Sequence, residues 1–234
     1  GNTLRSGGAF NSYDPEGQAS TKMDDSLKAT VEKLLAVEPV SDAHKQLIED
    51  VQKQYDDYLA SGSDSLFDSP EWHALQTLDA GDYIGNIDLI LTLTRNTLDT
   101  KKWLTANGTT WDPTIRTVIG ALWNRSAQTT NVSGADFIAA LSTQAEKNGA
   151  QIYLDTKAES LLQENGKVVG ATITNAEGKT VTVNAKSVVM ATGGFAANVE
   201  MRVKYNTEWD DLGETIATNN HPGATGDGIV MGEA

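Results

Sequence analysis

Apolar side chains recur every three to four residues between about residues 23 and 108, which is the spacing of amphipathic helices. Four helices are predicted in this region. The first two helices begin after Asp24 and Ser41, and the third begins at Ser69-Pro70. The fourth ends at Asn107-Gly108.

The pattern changes after residue 108. Residues 109–132 have no clear period and predict irregular structure, as do the Gly- and Ser-rich residues 1–20. A fifth helix is predicted at 133–148, with Ser133 and Asp136 at its start. Its expected buried face consists of Phe137, Ile138, Leu141 and Ala145.

Residues from 150 onward favour strands. A first strand is predicted at 150–156, and three more are separated by turns at Asn165-Gly166 and Glu177-Gly178. A last, buried strand is predicted at 187–190, running into the small-residue turn 191–194. Helices and strands together predict an α/β protein, of the α+β kind in this chain, with a helical part, a strand part and a boundary near residue 130.

Composition excludes several classes of function. The chain carries 32 acidic and 18 basic residues, a net charge of -14, which argues against a nucleic acid partner and against an anionic membrane surface. No cysteine is present, so disulfides, cysteine-ligated metals and thiol catalysis are excluded. No membrane span is predicted, because no apolar run approaches about 20 residues. No metal site is predicted either, because the histidines and carboxylates lack metal-ligand spacing.

Two loops are rich in residues with small side chains. In "GNTLRSGGAFN", Gly7-Gly8 permits close approach of a ligand, and Asn2, Thr3 and Ser6 carry short hydrogen-bonding groups. In "VVMATGG", Gly193 and Gly194 permit the same after a strand, where α/β proteins commonly bind nucleotides. Each loop alone is equally compatible with a simple turn.

A third loop, "NNHPGATGDGIVMGE", leads into a predicted helix. Asp227 is either the N-cap of this helix or an acceptor for a ligand hydroxyl such as that of a ribityl chain. His221 is interpreted as a loop residue.

These stretches together resemble the FAD-binding subunit of the fumarate reductase/succinate dehydrogenase superfamily. The nearest branch is the soluble bacterial one, with flavocytochrome-type fumarate reductases and urocanate reductase. The resemblance rests on Gly1–Thr3 with Ser6–Gly8, Thr156–Leu161, Ala191–Phe195 and Thr218–Gly228. It is strong at 1–14 and 133–234 and weak at 20–130.

The resemblance implies a partial Rossmann-like FAD-binding domain with a helical insert and an antiparallel hairpin. Its expected parts are a flavin-contacting loop at 1–20, the insert at 21–132, and a helix-plus-strand part at 133–234. The implied FAD-binding residues are Asn2, Thr3, Ser6, Gly7, Gly8, Ala158, Ala191, Thr192, Gly193, Gly194 and Asp227. Among them, Ala158 is expected to face the adenosine part through its backbone, and Asp227 the ribityl or phosphate region.

The implied function is reduction of an activated C=C bond in a small dicarboxylate or enoate, with hydride from FAD and a possible electron-donor domain or protein. The alternatives are a relative of ketosteroid dehydrogenase or L-aspartate oxidase, or a cofactor-free helical and β interaction module. The chain starts within a motif at Gly1, so an internal piece of a longer protein is expected, without the family's first βαβ unit and without catalytic residues. The cytoplasm, the periplasm and the cell envelope all remain open as compartments.

Overall fold

The computed structural model describes residues 1–118, 121–207, 209–210 and 212–234. Its helices are α1 Asn2–Arg5, α2 Asp25–Leu35, α3 Asp42–Ser61, α4 Pro70–Ala80, α5 Ile87–Ala106, α6 Ala135–Lys147, α7 Val199–Tyr205 and α8 Asp227–Glu233. Its strands are β1 Ala9–Asn11, β2 Ser126–Gln128, β3 Lys157–Glu164, β4 Lys167–Thr174 and β5 Thr180–Asn184. The mixture of helices and sheets confirms the predicted α/β class, and the strand pairs of the described residues are antiparallel.

Helices α2 to α5 confirm the predictions from apolar spacing. Each begins with a capping side chain that accepts a hydrogen bond from a backbone N–H group three residues later; the caps are Asp24, Ser41, Ser69 and Asn86. Such a cap satisfies a donor that has no partner inside the helix. Pro70 occupies the first turn of α4, where its missing N–H group costs nothing.

These helices bury their apolar faces in one cluster, because apolar surface is driven out of water. Within it, the rings of Trp72 and Trp123 meet edge to face with centroids 5.2 Å apart. Trp123 Nε1 donates to Phe67 O at 2.9 Å, so the buried indole keeps a hydrogen-bond partner. The buried members are Val31, Leu34, Leu47, Val51, Tyr55, Leu66, Phe67, Trp72, Ala74, Leu75 and Trp123.

A small sheet forms where we predicted a loop and irregular structure. Strands β1 and β2 pair with Phe10 opposite Ala127, and Ser126 Oγ donates to Asn11 Oδ1 at 2.5 Å. Strands of three residues carry too little alternation to be recognised. The two partners of this hydrogen bond are also 115 residues apart in the chain. The prediction of irregular structure is therefore wrong at β1 and β2, and also at α1, where Asn2–Arg5 form a helix inside the predicted loop.

The predicted hairpins are confirmed. Strands β3, β4 and β5 form an antiparallel sheet in that order. Asn165 and Gly166 join β3 to β4 with φ of 49° and 75°, the positive values that a tight hairpin turn requires. At the second turn, Asn175 Oδ1 accepts hydrogen bonds from the N–H groups of Glu177 and Lys179, both at 3.0 Å.

Two other predicted strands, at 150–156 and 187–190, are wrong. Neither segment is in a strand, and Leu154 and Val189 are 77% and 87% exposed. A strand needs a hydrogen-bonded neighbour, and no described residue pairs with either segment. An apolar run indicates that a segment can be buried, but it does not supply the neighbouring strand.

Helix α6 forms within the predicted range, but its predicted buried face is wrong. None of its described residues is buried, and Ile138 is 43% exposed. Phe137 contacts Trp111 with ring centroids 5.7 Å apart. Helical periodicity shows which face is apolar, whereas the cover of that face depends on another element.

The chain divides into two compact units. One comprises residues 1–2 and 145–234, and the other comprises residues 3–144. The first contains the sheet β3–β4–β5, and the second contains the helical cluster. The predicted three-part division at residues 20 and 132 stays a prediction. Among the described residues, no helix has both the length and the apolar character needed to cross a membrane.

Candidate functional site

A cavity of about 760 Å³ lies in the unit formed by residues 1–2 and 145–234. Its walls come from β3, the end of β4, the turn at 191–194 and the loop that leads into α8. Ala158, Thr192 and Asp227 all line it, so three of the predicted FAD-binding residues are brought together. The full lining is Asp155, Thr156, Lys157, Ala158, Glu159, Thr174, Asn175, Thr192, His221, Gly223, Thr225, Asp227 and Met231.

Asp227 is the first residue of α8 and not its N-cap. The N-cap is Gly226, whose φ of 82° is in the left-handed region. Glycine has no side chain, so no side-chain hydrogen bond caps this helix. Asp227 Oδ1 accepts a hydrogen bond from Thr225 Oγ1 at 2.8 Å. The N-cap alternative for Asp227 is therefore wrong, and its carboxylate lies in the cavity wall as a hydrogen-bond acceptor.

Lys157 and Glu159 are wall residues that sequence reasoning missed. Their side chains form an ion pair at 2.8 Å, beside the point between Ala158 and Ser160 where the register of β3 with β4 shifts. The hydrogen bond to Glu159 raises the pKa of Lys157, and the charge of Asp227 adds to this shift. The same bond lowers the pKa of Glu159, with help from the hydroxyl of Thr174. Because the register of β3 shifts at this point, strand alternation gave no signal for these two residues.

Asn2 holds the loop at 218–223 through its side chain. Its Oδ1 accepts from the backbone N–H of His221 at 2.6 Å, and its Nδ2 donates to Asn220 Oδ1 at 2.7 Å. We expected this amide to serve as a hydrogen-bonding group toward a ligand. In the structure both of its polar atoms are engaged with the protein.

The turn at 191–194 is exposed at Ala191, Gly193 and Gly194. Gly193 has a φ of 74°, a conformation that favours glycine. A Cβ built on Gly193 or Gly194 would meet no atom of the described chain within 4 Å. The space that a side chain would occupy at these two glycines is therefore open, and both residues are exposed.

The remaining predicted residues, Thr3, Ser6, Gly7 and Gly8, lie in the other unit. Ser6 N and Oγ both donate to Thr3 O, at 3.2 and 2.9 Å. Gly8 has a φ of 66°, and a Cβ there would lie 2.4 Å from Thr129 Oγ1. The protein itself thus requires glycine at position 8, whereas a Cβ on Gly7 would meet nothing within 4 Å.

Arg125 and Asp68 form a buried ion pair in the same unit. Arg125 Nη2 and Nε donate to the two carboxylate oxygens at 2.5 and 3.1 Å, and Nη1 donates to Gln76 Oε1 at 2.8 Å. Sequence analysis missed this pair because its members are 57 residues apart and belong to no common pattern. The described residues contain no group of three or more His, Asp or Glu side chains that could hold a metal ion.

Comparison with known proteins shows similarity to a cofactor-binding family and to several reductases. The model of the family described as FAD binding domain matches residues 57–234. Over 249 residues the chain is 35% identical to NADH:acrylate oxidoreductase of Vibrio harveyi, a match that covers 100% of this chain and 25% of that protein. Over 175 residues it is 39% identical to urocanate reductase of Eggerthella lenta, with coverages of 73% and 28%.

Among solved structures, the open conformation of a flavocytochrome c3 fumarate reductase is similar. The TM-score is 0.62 at 27% identity, over 71% of this chain and 29% of that chain. This chain spans about a quarter of the length of the curated relatives named above.

Proposed function

Because this chain belongs to the FAD binding domain family, we propose that it forms part of the cofactor site of an oxidoreductase that reduces a C=C bond conjugated to a carboxylate. The observation that carries this proposal is the cavity of about 760 Å³ in which Ala158, Thr192 and Asp227 meet. Its volume lies within the range of about 300–1,000 Å³ that is usual for ligand sites.

We assign the residues of the cavity to the chemical groups of FAD as follows. A carboxylate repels phosphate, so Asp227 is assigned to a ribityl or ribose hydroxyl. This hydroxyl would donate a hydrogen bond to the carboxylate. The backbone of Ala158 is assigned to the adenosine part. Ala191, Thr192, Gly193 and Gly194 are assigned to close backbone approach, for which the open surroundings of the two glycines leave room.

The residues at the start of the chain complete the proposed set. Gly7, where a Cβ would meet no atom within 4 Å, is assigned to close approach of the cofactor. Thr3, Ser6 and Gly8 are assigned to shaping this loop, because their contacts are with the protein. Asn2 is assigned to holding the loop at 218–223.

The proposed substrate class follows from the names of the relatives. Acrylate, urocanate and fumarate, named for three reductases similar to this chain, all contain a C=C bond conjugated to a carboxylate. Bound FAD would supply the hydride, while this chain binds and orients the cofactor. We assign no catalytic acid to the described residues, and the electron donor is a further domain or protein. Membership of the family disfavours the cofactor-free alternative, and no observation favours the steroid or amino acid alternatives.

The test uses the complete polypeptide that carries this sequence. We expect it to contain FAD in about equimolar amount and, after reduction, to be reoxidised by acrylate, fumarate or urocanate. Asp227→Ala should weaken FAD binding about tenfold or more, because it removes a charged hydrogen-bond partner. Glu177→Ala, in the hairpin turn outside the cavity, is the matched control and should bind FAD normally. Protein without flavin, or equal affinity in both variants, would contradict the proposal.

A further inference from the structure

His221 lies in the cavity wall with its backbone fixed from two directions. Its N–H group donates to Asn2 Oδ1 at 2.6 Å, and its carbonyl accepts from the N–H group of Ala224 at 2.9 Å. Pro222 follows, which restricts the backbone of residue 221 to extended conformations. The side chain therefore starts from a defined position beside the cavity.

The imidazole ring is fixed as well. His221 Nδ1 accepts a hydrogen bond from Gly223 N at 3.0 Å. A Cβ on Gly223 would approach this nitrogen to 3.1 Å, so glycine lets the ring lie against the turn. An accepting Nδ1 carries no proton, and the proton of the neutral ring is therefore on Nε2. The ring thus offers one N–H donor whose partner is not supplied by the described residues.

The charges in the wall distinguish His221 from Lys157. The ammonium group of Lys157 is engaged with Glu159 at 2.8 Å, and Asp155 and Asp227 add two more carboxylates to the lining. A bound pyrophosphate needs donors that are not already paired with a carboxylate. His221 makes no ion pair with the described residues, and its side-chain hydrogen bond to Gly223 uses Nδ1 and leaves Nε2 free.

We propose that His221 Nε2–H donates a hydrogen bond to the pyrophosphate of bound FAD. This inference rests on the proposed function, because it assumes that FAD occupies the cavity. His221 is then an FAD-binding residue beyond those that the family resemblance implied. Asn2 and Gly223 are the positioning residues that hold it.

Two substitutions separate the two ring nitrogens. In His221→Asn the amide oxygen replaces Nδ1, so the turn at Gly223 keeps its acceptor while the Nε2 donor is lost. In His221→Gln the amide nitrogen lies about as far from the backbone as Nε2 does in histidine. The hydrogen-bond donor is therefore kept. FAD affinity is measured by quenching of flavin fluorescence on titration into the flavin-free complete polypeptide, and the two pyrophosphate resonances of bound FAD are followed by ³¹P NMR.

We expect His221→Asn to bind FAD about 10- to 100-fold more weakly than the wild type and to shift a pyrophosphate resonance. His221→Gln should stay within about threefold of the wild type, a loss smaller than that of one hydrogen bond. Normal binding by His221→Asn with a loss in His221→Gln would assign a purely structural role to the ring and overturn the inference. Unmoved phosphate resonances in both variants would also overturn it. A wild type that binds no FAD would instead refute the proposed function.

Discussion

The ion pair of Arg125 and Asp68 leaves only 3% and 1% of the two side chains exposed. Removing charges from water is costly, so such a pair persists only when its hydrogen bonds are completed. Here Gln76 accepts from Arg125, and Gln18 Nε2 donates to Asp68 Oδ2 at 2.6 Å. The pair therefore joins segments that are distant in the chain.

Breaking this pair on one side should be severely destabilising. We expect Arg125→Met to lower the free energy of unfolding by about 3–5 kcal/mol, because the carboxylate of Asp68 stays buried without its cation. Urea unfolding followed by tryptophan fluorescence measures the loss, since Trp72 and Trp123 are buried in the same unit.

The double variant Arg125→Met with Asp68→Leu is the control for this prediction. It removes both charges and should recover most of the lost stability. A single variant that costs less than about 1 kcal/mol would show that the carboxylate is hydrated or neutralised, and would contradict the argument.

His73 should make stability depend on pH. Burial, with a further contribution from the positive charge of Arg125, lowers the pKa of His73 from 6.5 to about 3. The folded pKa is below the unfolded value, so the neutral ring favours folding. This stability is present above about pH 6.5 and is lost as the pH falls toward 3. Burial also lowers the pKa of His44, with the same sign.

We therefore expect the free energy of unfolding to fall between pH 6.5 and about 4.5, with a shallower slope in His73→Leu. Asp14 and Glu71 provide an internal control. Burial opposes the shift, but hydrogen bonds from Lys101 to Asp14 and from Gln54 to Glu71 lower the pKa of both carboxyl groups. The stability that these two carboxylates contribute is lost at more acidic pH than that of His73. This second loss should therefore also occur in His73→Leu. Urea unfolding at half-unit pH steps gives the slope of the free energy of unfolding against pH for the wild type and for His73→Leu. Parallel slopes would show that His73 does not cause the pH dependence.

The start of α6 depends on a close contact between Gly134 and the segment formed by α1 and Ser6. Gly134 N donates to Ser6 O at 2.8 Å, and a Cβ on Gly134 would lie 1.9 Å from Thr3 O. The small residue at position 134 thus permits α1 and Ser6 to lie against the segment that precedes α6.

Two alanine substitutions test this contact. Gly134→Ala should lower the free energy of unfolding by about 1–3 kcal/mol, because backbone atoms must move to admit the methyl group. Gly7→Ala, in the same loop, meets no atom within 4 Å and should change stability by less than about 0.5 kcal/mol. Thermal and urea unfolding of both variants measure the difference, and equal effects would show that the contact is not formed.

The whole molecule carries an excess of negative charge that its surface ion pairs do not remove. Net charge is -14, and exposed pairs such as Lys22 with Asp64, whose side chains are 62% and 78% exposed, contribute little. Repulsion among carboxylates therefore opposes the compact state at pH 7.

Salt should relieve this repulsion. Raising NaCl from about 10 to about 150 mM shortens the screening length from about 30 to about 8 Å, so the midpoint of thermal unfolding at pH 7 should rise by a few degrees, about 2–5 °C. At pH 4.5, near the isoelectric point of about 4.5, the same change should have little effect. A midpoint that falls with salt at pH 7 would show that attractive ion pairs dominate.

Sequence alone determined the elements whose signals are local. The spacing of apolar residues and the caps at Asp24, Ser41 and Ser69 predicted α2 to α4, because helices are stabilised by contacts within a few residues. The Asn165-Gly166 turn predicted its hairpin for the same reason. The three small-residue loops, taken together, indicated the FAD-binding family.

Tertiary structure decided the features that depend on partners far away in the chain. It formed the sheet of β1 and β2, left 150–156 and 187–190 outside any strand, and paired Arg125 with Asp68. It also engaged the side chain of Asn2 with the protein and placed His221 beside the cavity. The physical reason is the same in each case: burial and pairing depend on which surfaces meet, and short-range periodicity carries no record of that meeting.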